Sequence, residues 1–345
     1  MKIPSKKPTL SHLILKNKLK VAVLGGGSWG TALVKILTEN KRKVGWFVRN
    51  PLHVEFINKY HHNPNYLRSA HLNVKRLRIS SDINEIVSTA ELLIIAIPSA
   101  FLHQEFEKLN QPIDNKLIFS AVKGVVPESM MIVGEYFNHQ FMVPLERIGV
   151  ISGPSHAEEV AMERLSYLTI ACMENKWAKA TAAMLKTEYI RIKTSNDIIG
   201  TEYASMLKNI YAVAAGIAHG LGYGDNFQSV LMSNAIREMK RFIKDVYKMK
   251  RNINNSAYLG DLLVTGYSVF SRNRTFGNMI GKGYTVRAAQ MEMSMVAEGF
   301  YATKSAKMIN LKYKTRVPIL DAVHQILYQN KNPERVFKKL TKQLD

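Results

Sequence analysis

The sequence predicts an α/β domain built on a parallel sheet, followed by an all-α domain. In the first half of the chain, short apolar runs alternate with amphipathic stretches, which is typical of a doubly wound sheet. From about residue 195 onward, apolar residues instead recur at three- and four-residue steps, as in Ala204, Leu207 and Tyr211. We therefore expect an α/β domain over residues 19–194 and a helical domain over residues 195–345.

The first predicted strand and helix flank a glycine-rich turn. The apolar residues 21–24 lead into Gly25, Gly27 and Gly30, and a helix-compatible segment begins at Thr31. Glycines at this spacing allow a tight turn, a close approach of the backbone to a pyrophosphate, and close packing of helix on strand. The helix N-terminus adds N–H groups that bind anions. A glycine-rich turn can be only a turn, but the strand and helix around it favour a Rossmann-like dinucleotide-binding domain.

The second predicted strand, residues 43–48, ends at Arg49, 19 residues after Gly30. A site that prefers NAD places an acidic residue here for the ribose 2′-hydroxyl. A guanidinium can instead pair with the 2′-phosphate of NADP. The sequence therefore predicts that NADPH or NADP is the preferred cofactor, with NADH or NAD as the second choice. The alternative is that Arg49 is merely a solvated cation at a strand end.

Three further apolar runs predict buried strands over residues 92–97, 117–122 and 148–151. Ligands of such sheets bind outside the carboxyl ends of the strands. The residues just beyond these ends are therefore expected to line one crevice with the glycine-rich turn; they are Ser99, Lys123, Gly153 and Ser155.

The second half is expected to contain four helical segments. The first includes residues 204–218 and ends at Gly220-Leu221-Gly222, and the others cover residues 226–250, 286–310 and 317–341.

Three groups of polar residues interrupt the apolar pattern of this half. Lys208 and Asn209 lie among small and apolar neighbours, where the lysine could simply lay its stem along apolar surface. Asp261 lies within an apolar run and could be only a helix cap. The segment Ser271-Arg272-Asn273-Arg274 suits a phosphate oxyanion, although an exposed loop has the same composition. The residues taken singly leave each of these alternatives open.

The chain is strongly basic, with 48 Lys and Arg against 27 Asp and Glu and a formal net charge of +21. Such a field attracts nucleotides, phosphorylated metabolites, anionic lipids and nucleic acid alike. The sequence contains no RNP-type motif, zinc module or basic-aromatic repeat, so we expect no specific nucleic-acid partner and no metal site.

Cysteine usage and hydropathy indicate the compartment. The one cysteine, Cys172, lies in a strand-like run and suits a reducing compartment. No stretch approaches the roughly 20 apolar residues that span a bilayer. Residues 1–18 are expected to be a basic, disordered lead-in to the first strand. The six lysines in the first 20 residues could touch an anionic membrane transiently, but a solvated tail is the better interpretation.

Several motifs in order give the chain a family resemblance. From about Leu19 to the C-terminus it resembles the bacterial-type NAD(P)-dependent sn-glycerol-3-phosphate dehydrogenases. The motifs are the six residues from Gly25 to Gly30, Ala96-Ile97-Pro98-Ser99, Lys123-Gly124, residues 152–159, Leu207-Lys208-Asn209, Gly260-Asp261-Leu262, Ser271-Arg272-Asn273-Arg274 and Ala297-Glu298-Gly299.

The resemblance implies a cytoplasmic, homodimeric enzyme that reversibly reduces dihydroxyacetone phosphate to sn-glycerol 3-phosphate for phospholipid synthesis. It implies that Lys208 is the acid/base residue and that Asp261 orients it. It also implies substrate contacts in both domains, namely Lys123, Gly153, Ser155, Asn209, Thr265, Ser271, Arg272 and Asn273. The implied cofactor contacts are Gly25, Gly27, Ser28, Trp29, Gly30, Arg49, Lys123, Ala157, Arg272, Val296 and Glu298.

The sequence departs from the family pattern at a few positions. The stretch before Lys208, residues 202–206, is bulkier than expected, and His219, Gly266 and Ala297 replace an acid, a cysteine and a valine. Two alternatives remain open. One is a dehydrogenase of the same build that acts on a 3-hydroxy acid, and the other is a cofactor-binding protein without turnover.

Overall fold

The computed structural model describes residues 19–293 and 297–345, so the basic lead-in and Val296 lie outside the described residues. An eight-stranded sheet forms the centre of the first half. Its strands are β1 Val21–Leu24, β2 Val44–Phe47, β3 Leu77–Ser80, β4 Leu92–Ile95, β5 Leu117–Ser120, β8 Ile148–Ser152, β9 Ser166–Cys172 and β10 Ile190–Ser195. A separate antiparallel ladder joins β6 Val125–Val126 to β7 Met131–Ile132.

The sheet has the order β10-β9-β8-β5-β4-β1-β2-β3, so that β1 lies between β4 and β2. The sheet departs from the predicted parallel arrangement at one place, because β9 pairs antiparallel with β8. The connection between these strands, residues 153–165, contains one helix of five residues. These 13 residues are near the lower limit for a crossover to a parallel strand, and the helix is too short to span the sheet. The chain therefore enters β9 at the same end of the sheet at which it leaves β8, and β9 runs in the opposite direction.

Seven helices accompany the strands in the described part of this half. They are α1 Ser28–Glu39, α2 Pro51–Tyr60, α3 Ile83–Ser88, α4 Ser99–Phe106, α5 Val133–Phe141, α6 Ala157–Ala161 and α7 Asn175–Leu185. Alternate residues of β1 enter different cores: Val21 and Val23 pack with α1, while Ala22 and Leu24 pack with α3 and α4. All four are at most 2% exposed, as expected for a strand covered on both faces. The predicted α/β domain is confirmed.

The rest of the described chain is helical, which confirms the predicted all-α half. Its helices are α8 Ile198–Gly220, α9 Asp225–Val246, α10 Asp261–Tyr267, α11 Arg272–Gly281, α12 Val286–Glu292, α13 Glu298–Tyr313, α14 Pro318–Gln329 and α15 Pro333–Leu340. Helix α8 is buried along almost its whole length and forms the axis around which the others pack.

Two of the predicted helices are each divided in two. Residues 317–341 form α14 and α15, because Asn330 adopts a left-handed conformation (φ 52°) and Asn332 caps a new helix that begins with a proline. Residues 286–310 form α12 and α13, because the backbone is extended at Met293 and again at Ala297. The predicted helix over residues 226–250 ends earlier, at Val246.

Helices α8 and α11 touch backbone to backbone. A Cβ built on Gly216 would lie 2.0 Å from the carbonyl oxygen of Arg274, and one on Gly277 would lie 2.1 Å from that of Val213. We call these contacts the glycine seam; its members are Gly216, Gly220, Gly277 and Gly281. Since backbone has no rotamers with which to adapt, the seam fixes the position of α11 on α8.

None of the helices in the described part of the chain is long and apolar enough to cross a membrane.

Candidate active site

A cleft of about 450 Å³ lies between the sheet and the helical half. It is lined by residues from both halves of the chain, so each half supplies part of one site. Most of the predicted site residues line it directly: Gly27, Ser28, Trp29, Lys123, Ser155, Ala157, Lys208, Asn209, Thr265, Ser271, Arg272, Asn273 and Glu298. Of the remaining predicted residues, Gly25, Gly30, Arg49, Gly153 and Asp261 stand behind or beside this lining, and Val296 is outside the described residues.

The glycine-rich turn at the end of β1 has the shape that a pyrophosphate requires. Gly25 has φ +129°, which favours glycine, and a Cβ on Gly30 would lie 2.1 Å from the carbonyl oxygen of Gly25. At Gly27, by contrast, no described atom lies within 4 Å of the Cβ position, so the backbone is open to a ligand.

The first turn of α1 offers further donors to the same ligand. No described side chain caps this helix at Gly27, which leaves N–H groups and the positive end of the helix dipole directed to the cleft. The indole Nε1 of Trp29 is buried and has no hydrogen-bond partner among the described residues. The turn, the uncapped helix and this orphaned donor fit a dinucleotide.

Arg49 lies at the end of β2, beside the cleft. Its side chain is 65% exposed, and its Nη1 is 3.6 Å from Oε1 of the buried Glu105. The guanidinium also lies 5.9 Å from the centroid of the Phe101 ring. Glu105 additionally accepts a hydrogen bond from Lys108 at 2.9 Å. Arg49 is therefore a partly neutralised cation rather than an isolated one.

Lys208 and Asp261 form a buried ion pair between α8 and the first residue of α10. Their side chains are 3% and 2% exposed. Burial, together with the nearby charge of Lys123, lowers the pKa of Lys208 to about 7, although the Asp261 carboxylate opposes this shift. Asp261 begins α10 but does not cap it, so the reading of this residue as a helix cap is wrong.

Two serines extend the pair into a small polar network. The hydroxyls of Ser152, at the end of β8, and Ser205, on α8, are 2.8 Å apart. Ser152 also donates to Oδ2 of Asp261 at 3.4 Å. These serines were not among the predicted site residues. The signal that could have identified them is their position, since Ser152 precedes Gly153 at a strand end and Ser205 is three residues before Lys208.

Lys123 and Asn209 connect the two halves of the chain at the cleft. Nδ2 of Asn209 donates to the backbone oxygen of Lys123 at 2.7 Å. The Lys123 ammonium in turn lies 6.0 Å from the centroid of the Trp29 ring. This lysine is thus placed between the predicted cofactor turn and the Lys208–Asp261 pair.

The opposite wall of the cleft comes from α11 and α13. Ser271 caps α11 by accepting a hydrogen bond from the backbone N–H of Arg274, so the segment 271–274 is a helix start and not a loop. Oδ1 of Asn273 accepts from the backbone N–H of Gly299 at 2.9 Å. Arg272 lies at the exposed end of this helix, within electrostatic reach of the half-buried Glu298 carboxylate.

Two hydroxyl groups between these walls donate hydrogen bonds to backbone carbonyl oxygens. Thr265 donates to the carbonyl oxygen of Asp261 at 2.6 Å, and Ser155 donates to that of Gly153 at 3.1 Å. Gly153 itself has φ +112° and abuts the carbonyl oxygen of Tyr167. It shapes the turn after β8 rather than the surface of the cleft.

His156 lines the cleft and was not predicted as a site residue. Burial and the charges of Lys123 and Lys208 lower its pKa to about 4, so the imidazole is neutral at physiological pH. Its Nε2 is buried and has no hydrogen-bond partner among the described residues. The sequence signal that could have identified His156 is its position directly after Ser155, a predicted site residue.

A dinucleotide turn and a buried lysine–aspartate pair on one cleft define a two-domain, dinucleotide-dependent oxidoreductase. Comparison with known proteins identifies the family. Residues 20–178 match the NAD-dependent glycerol-3-phosphate dehydrogenase N-terminus, and residues 197–338 match the C-terminus of the same family.

Individual relatives agree with these matches. The chain is 35% identical over 323 residues to glycerol-3-phosphate dehydrogenase [NAD(P)+] from Bacillus subtilis, and 36% identical over 322 residues to the protein of that name from Oceanobacillus iheyensis. Each match covers 93% of both chains. The crystal structure of glycerol-3-phosphate dehydrogenase from Coxiella burnetii superposes with a TM-score of 0.86 at 28% identity, over 94% of this chain and 98% of that one. The chain belongs to the NAD-dependent glycerol-3-phosphate dehydrogenase family, which confirms the resemblance drawn from its motifs.

Proposed function

We propose that the protein is an NAD(P)-dependent glycerol-3-phosphate dehydrogenase that reversibly reduces dihydroxyacetone phosphate to sn-glycerol 3-phosphate, the precursor of glycerophospholipids. One observation carries the proposal: the buried Lys208–Asp261 pair opens on the same cleft as the dinucleotide turn and Arg272. A redox cofactor, a proton donor and a phosphate-binding cation are what this reaction requires.

Lys208 serves as the acid in reduction and the base in oxidation. The hydride for the carbonyl carbon comes from the reduced nicotinamide when it is bound. Lys208 gives its proton to the carbonyl oxygen as negative charge develops there, and Asp261 holds the ammonium in place. Lys123 adds positive charge, which both lowers the pKa of Lys208 and stabilises the developing alkoxide. In oxidation, neutral Lys208 removes the hydroxyl proton.

The start of α11 holds the phosphate end of the substrate in this proposal. Arg272 offers a planar fork of donors to phosphate oxygens, and Asn273 and the helix N-terminus lie beside it. Thr265 and Ser155 line the space between this helix and Lys208. The requirement for a phosphate group also separates the proposal from a dehydrogenase of 3-hydroxy acids.

The first experiment follows NADPH absorbance after dihydroxyacetone phosphate is added to the purified protein. We expect rapid oxidation that requires the phosphate group, so unphosphorylated dihydroxyacetone serves as a negative control. A parallel reaction with NADH measures the cofactor preference. Bound NADPH that is not oxidised would favour a cofactor-binding protein without turnover. Faster oxidation of unphosphorylated 3-hydroxy acids, assayed with NADP as the hydride acceptor, would favour the related dehydrogenase class.

The variant Lys208→Ala tests the assigned acid/base role. We expect turnover to fall by about two orders of magnitude or more, the usual contribution of a positioned acid/base group, with little change in NADPH affinity. Lys35→Ala is a matched control, because Lys35 is also a buried, ion-paired lysine but lies outside the cleft. A loss of only a few-fold in Lys208→Ala, similar to that of the control, would contradict the role.

We further propose that residues 19–194 bind the dinucleotide, with NADPH preferred through Arg49, and that residues 195–345 supply the proton donor and most of the phosphate contacts. A single, buried cysteine supports a cytoplasmic location. A homodimer completes the proposal, while transient contact of the basic lead-in with anionic lipid is the less favoured alternative to a solvated tail. Sedimentation equilibrium, and co-sedimentation with anionic vesicles before and after removal of residues 1–18, test these two points.

A further inference from the structure

Two buried polar atoms on the cleft lack a partner among the described residues, and they are chemically opposite. Nε1 of Trp29 is a donor and lies on the dinucleotide side. Nε2 of His156 lies in the turn that follows β8, at the N-terminus of α6, close to Lys123 and Lys208. A buried polar atom left without a partner destabilises the protein. Such an atom on a ligand cleft is therefore a candidate contact for that ligand.

The tautomer of His156 follows from its surroundings. The ring makes a hydrogen bond with the backbone of Val264, and this bond favours the protonated nitrogen. Because Nε2 has no partner, we assign the ring proton to Nδ1, with the Val264 carbonyl as its acceptor. The nearby positive charges of Lys123 and Lys208 disfavour a second proton on the ring. Nε2 consequently presents a lone pair and can only accept.

The proposed substrate offers a matching group. In dihydroxyacetone phosphate the carbonyl oxygen and the ionised phosphate are acceptors, and the primary hydroxyl is the one hydrogen-bond donor. The acceptors meet the cations of the cleft, Lys208, Lys123 and Arg272. Resting on the proposed function, we propose that His156 is a specificity-determining residue whose Nε2 accepts a hydrogen bond from the free hydroxyl of the three-carbon substrate.

The position of His156 favours the substrate over the cofactor as this donor. Its ring is within electrostatic reach of Lys208, Asp261 and Lys123, the groups assigned to the reacting carbonyl. The hydroxyl carbon of the substrate is bonded directly to that carbonyl carbon. Phe270 lies beside the imidazole, with ring centroids 6.1 Å apart, and Nε2 itself is buried, so the acceptor discriminates strongly against a substrate that leaves it unpaired.

The test compares dihydroxyacetone phosphate with hydroxyacetone phosphate, which lacks only the free hydroxyl. The measured quantity is the ratio of the two kcat/KM values with NADPH. We expect wild type to prefer dihydroxyacetone phosphate, and His156→Phe to reduce this ratio about tenfold, because the near-isosteric ring removes the acceptor. His156→Gln restores an acceptor oxygen near the place of Nε2, and we expect it to keep most of the preference.

His324→Phe is the matched control. His324 stacks on Tyr328 in α14, outside the cleft, and we expect the ratio to remain at the wild-type value. Thermal unfolding and NADPH titration of every variant separate folding defects from loss of recognition.

Two outcomes would overturn the inference while leaving the proposed function intact. One is a ratio unchanged in His156→Phe, with both kcat/KM values lowered equally, which is the mark of a structural role. The other is an unchanged ratio with weakened NADPH binding, which would assign the acceptor to the cofactor. Absence of dihydroxyacetone phosphate reduction by wild type would overturn the proposed function, and this inference with it.

Discussion

Lys208 illustrates how burial prepares a side chain for proton transfer. A lysine in water holds its proton far too tightly at neutral pH to exchange it readily, whereas desolvation between α8 and α10 weakens that hold. The Asp261 carboxylate limits the shift and keeps the ammonium oriented. The two opposing effects leave the group near the pH at which the reaction runs.

This balance predicts opposite pH dependences for the two directions of the reaction. Reduction requires protonated Lys208, so kcat/KM for reduction should fall as the pH rises through about 7, while kcat/KM for oxidation should rise. Asp261→Asn removes the negative charge that opposes the lowering of the Lys208 pKa. The fall in kcat/KM for reduction should therefore occur at lower pH in this variant. Initial rates in both directions from pH 5.5 to 9 measure this. If kcat/KM for reduction falls over the same pH range in Asp261→Asn as in wild type, the proposed effect of Asp261 on the Lys208 pKa is contradicted.

Arg49 and Glu105 predict how cofactor preference can be tuned. Glu105 competes with a 2′-phosphate for Arg49, so Glu105→Gln should raise the preference for NADPH over NADH about threefold, the scale of a partly exposed ion pair. Arg49→Asp should lower the preference more strongly, because it brings a carboxylate to the phosphate. Steady-state kinetics with both cofactors give the ratio. Lys59→Asp, at an exposed position on α2, controls for net charge, and a preference that does not respond to either variant would remove Arg49 from the site.

At the scale of secondary structure, the glycine seam holds α8 and α11 together at the shortest separation that backbones allow. Gly277→Ala would push a methyl group against the carbonyl oxygen of Val213, and no side chain can move aside to accept it. We expect a loss of about 3 kcal/mol in the free energy of unfolding. Turnover should fall as well, since the seam positions Arg272 relative to Lys208.

Chemical denaturation measures the loss of stability. Gly224→Ala is the matched control, because no described atom lies within 4 Å of the Cβ position at Gly224. The loss in the free energy of unfolding should be less than half as large in Gly224→Ala as in Gly277→Ala. Equal losses in both variants would mean that the seam is not tightly packed in solution.

How much of these elements could be predicted depends on the range of the interactions that form them. The strands around the glycine-rich turn and the long helix with Lys208 were predictable, because their patterns are local and strongly periodic. The antiparallel β9 was not, because strand direction depends on the path of the connection rather than on the strand. The break between α12 and α13 was not predictable either, because residues 293–297 contain no proline or glycine that would signal a helix end.

The site shows the same limit. Most site residues were predicted from the motifs, whereas His156, which lies inside the motif of residues 152–159, and Ser205 and Glu105 were not, because their roles depend on partners that are distant in sequence. A single sequence shows which side chains exist but does not show which polar atoms are left without a partner.

At the scale of the whole molecule, Glu202 links the two halves. It lies on α8 and accepts hydrogen bonds from the backbone N–H of Gly134, in the first turn of α5, at 3.0 and 3.1 Å. Burial raises the pKa of Glu202 from an ordinary value near 4.5 to about 8. The folded protein therefore binds this proton more tightly than the unfolded chain does.

The sign of this shift predicts how stability depends on pH. Because the folded-state pKa lies above the unfolded one, the contribution of Glu202 to stability decreases as the pH rises from about 4.5 to about 8. Glu202→Gln cannot ionise, so its unfolding midpoint should decrease less over this range, by a margin of about 2 °C or more. Thermal unfolding at pH 5 and pH 8.5 tests this, with the exposed Glu55→Gln as control. Parallel pH curves for wild type and Glu202→Gln would contradict it.

The glycine seam has a consequence for what this protein could become. The contact between the two main chains sets the distance between Lys208 on α8 and Arg272 on α11. It therefore limits the length of substrate that can contact both groups. We expect a sugar phosphate with an extra carbon between carbonyl and phosphate to fit this span poorly. We therefore expect adaptation to such a molecule to require a change in how the two helices pack, in addition to exchanges of cleft side chains.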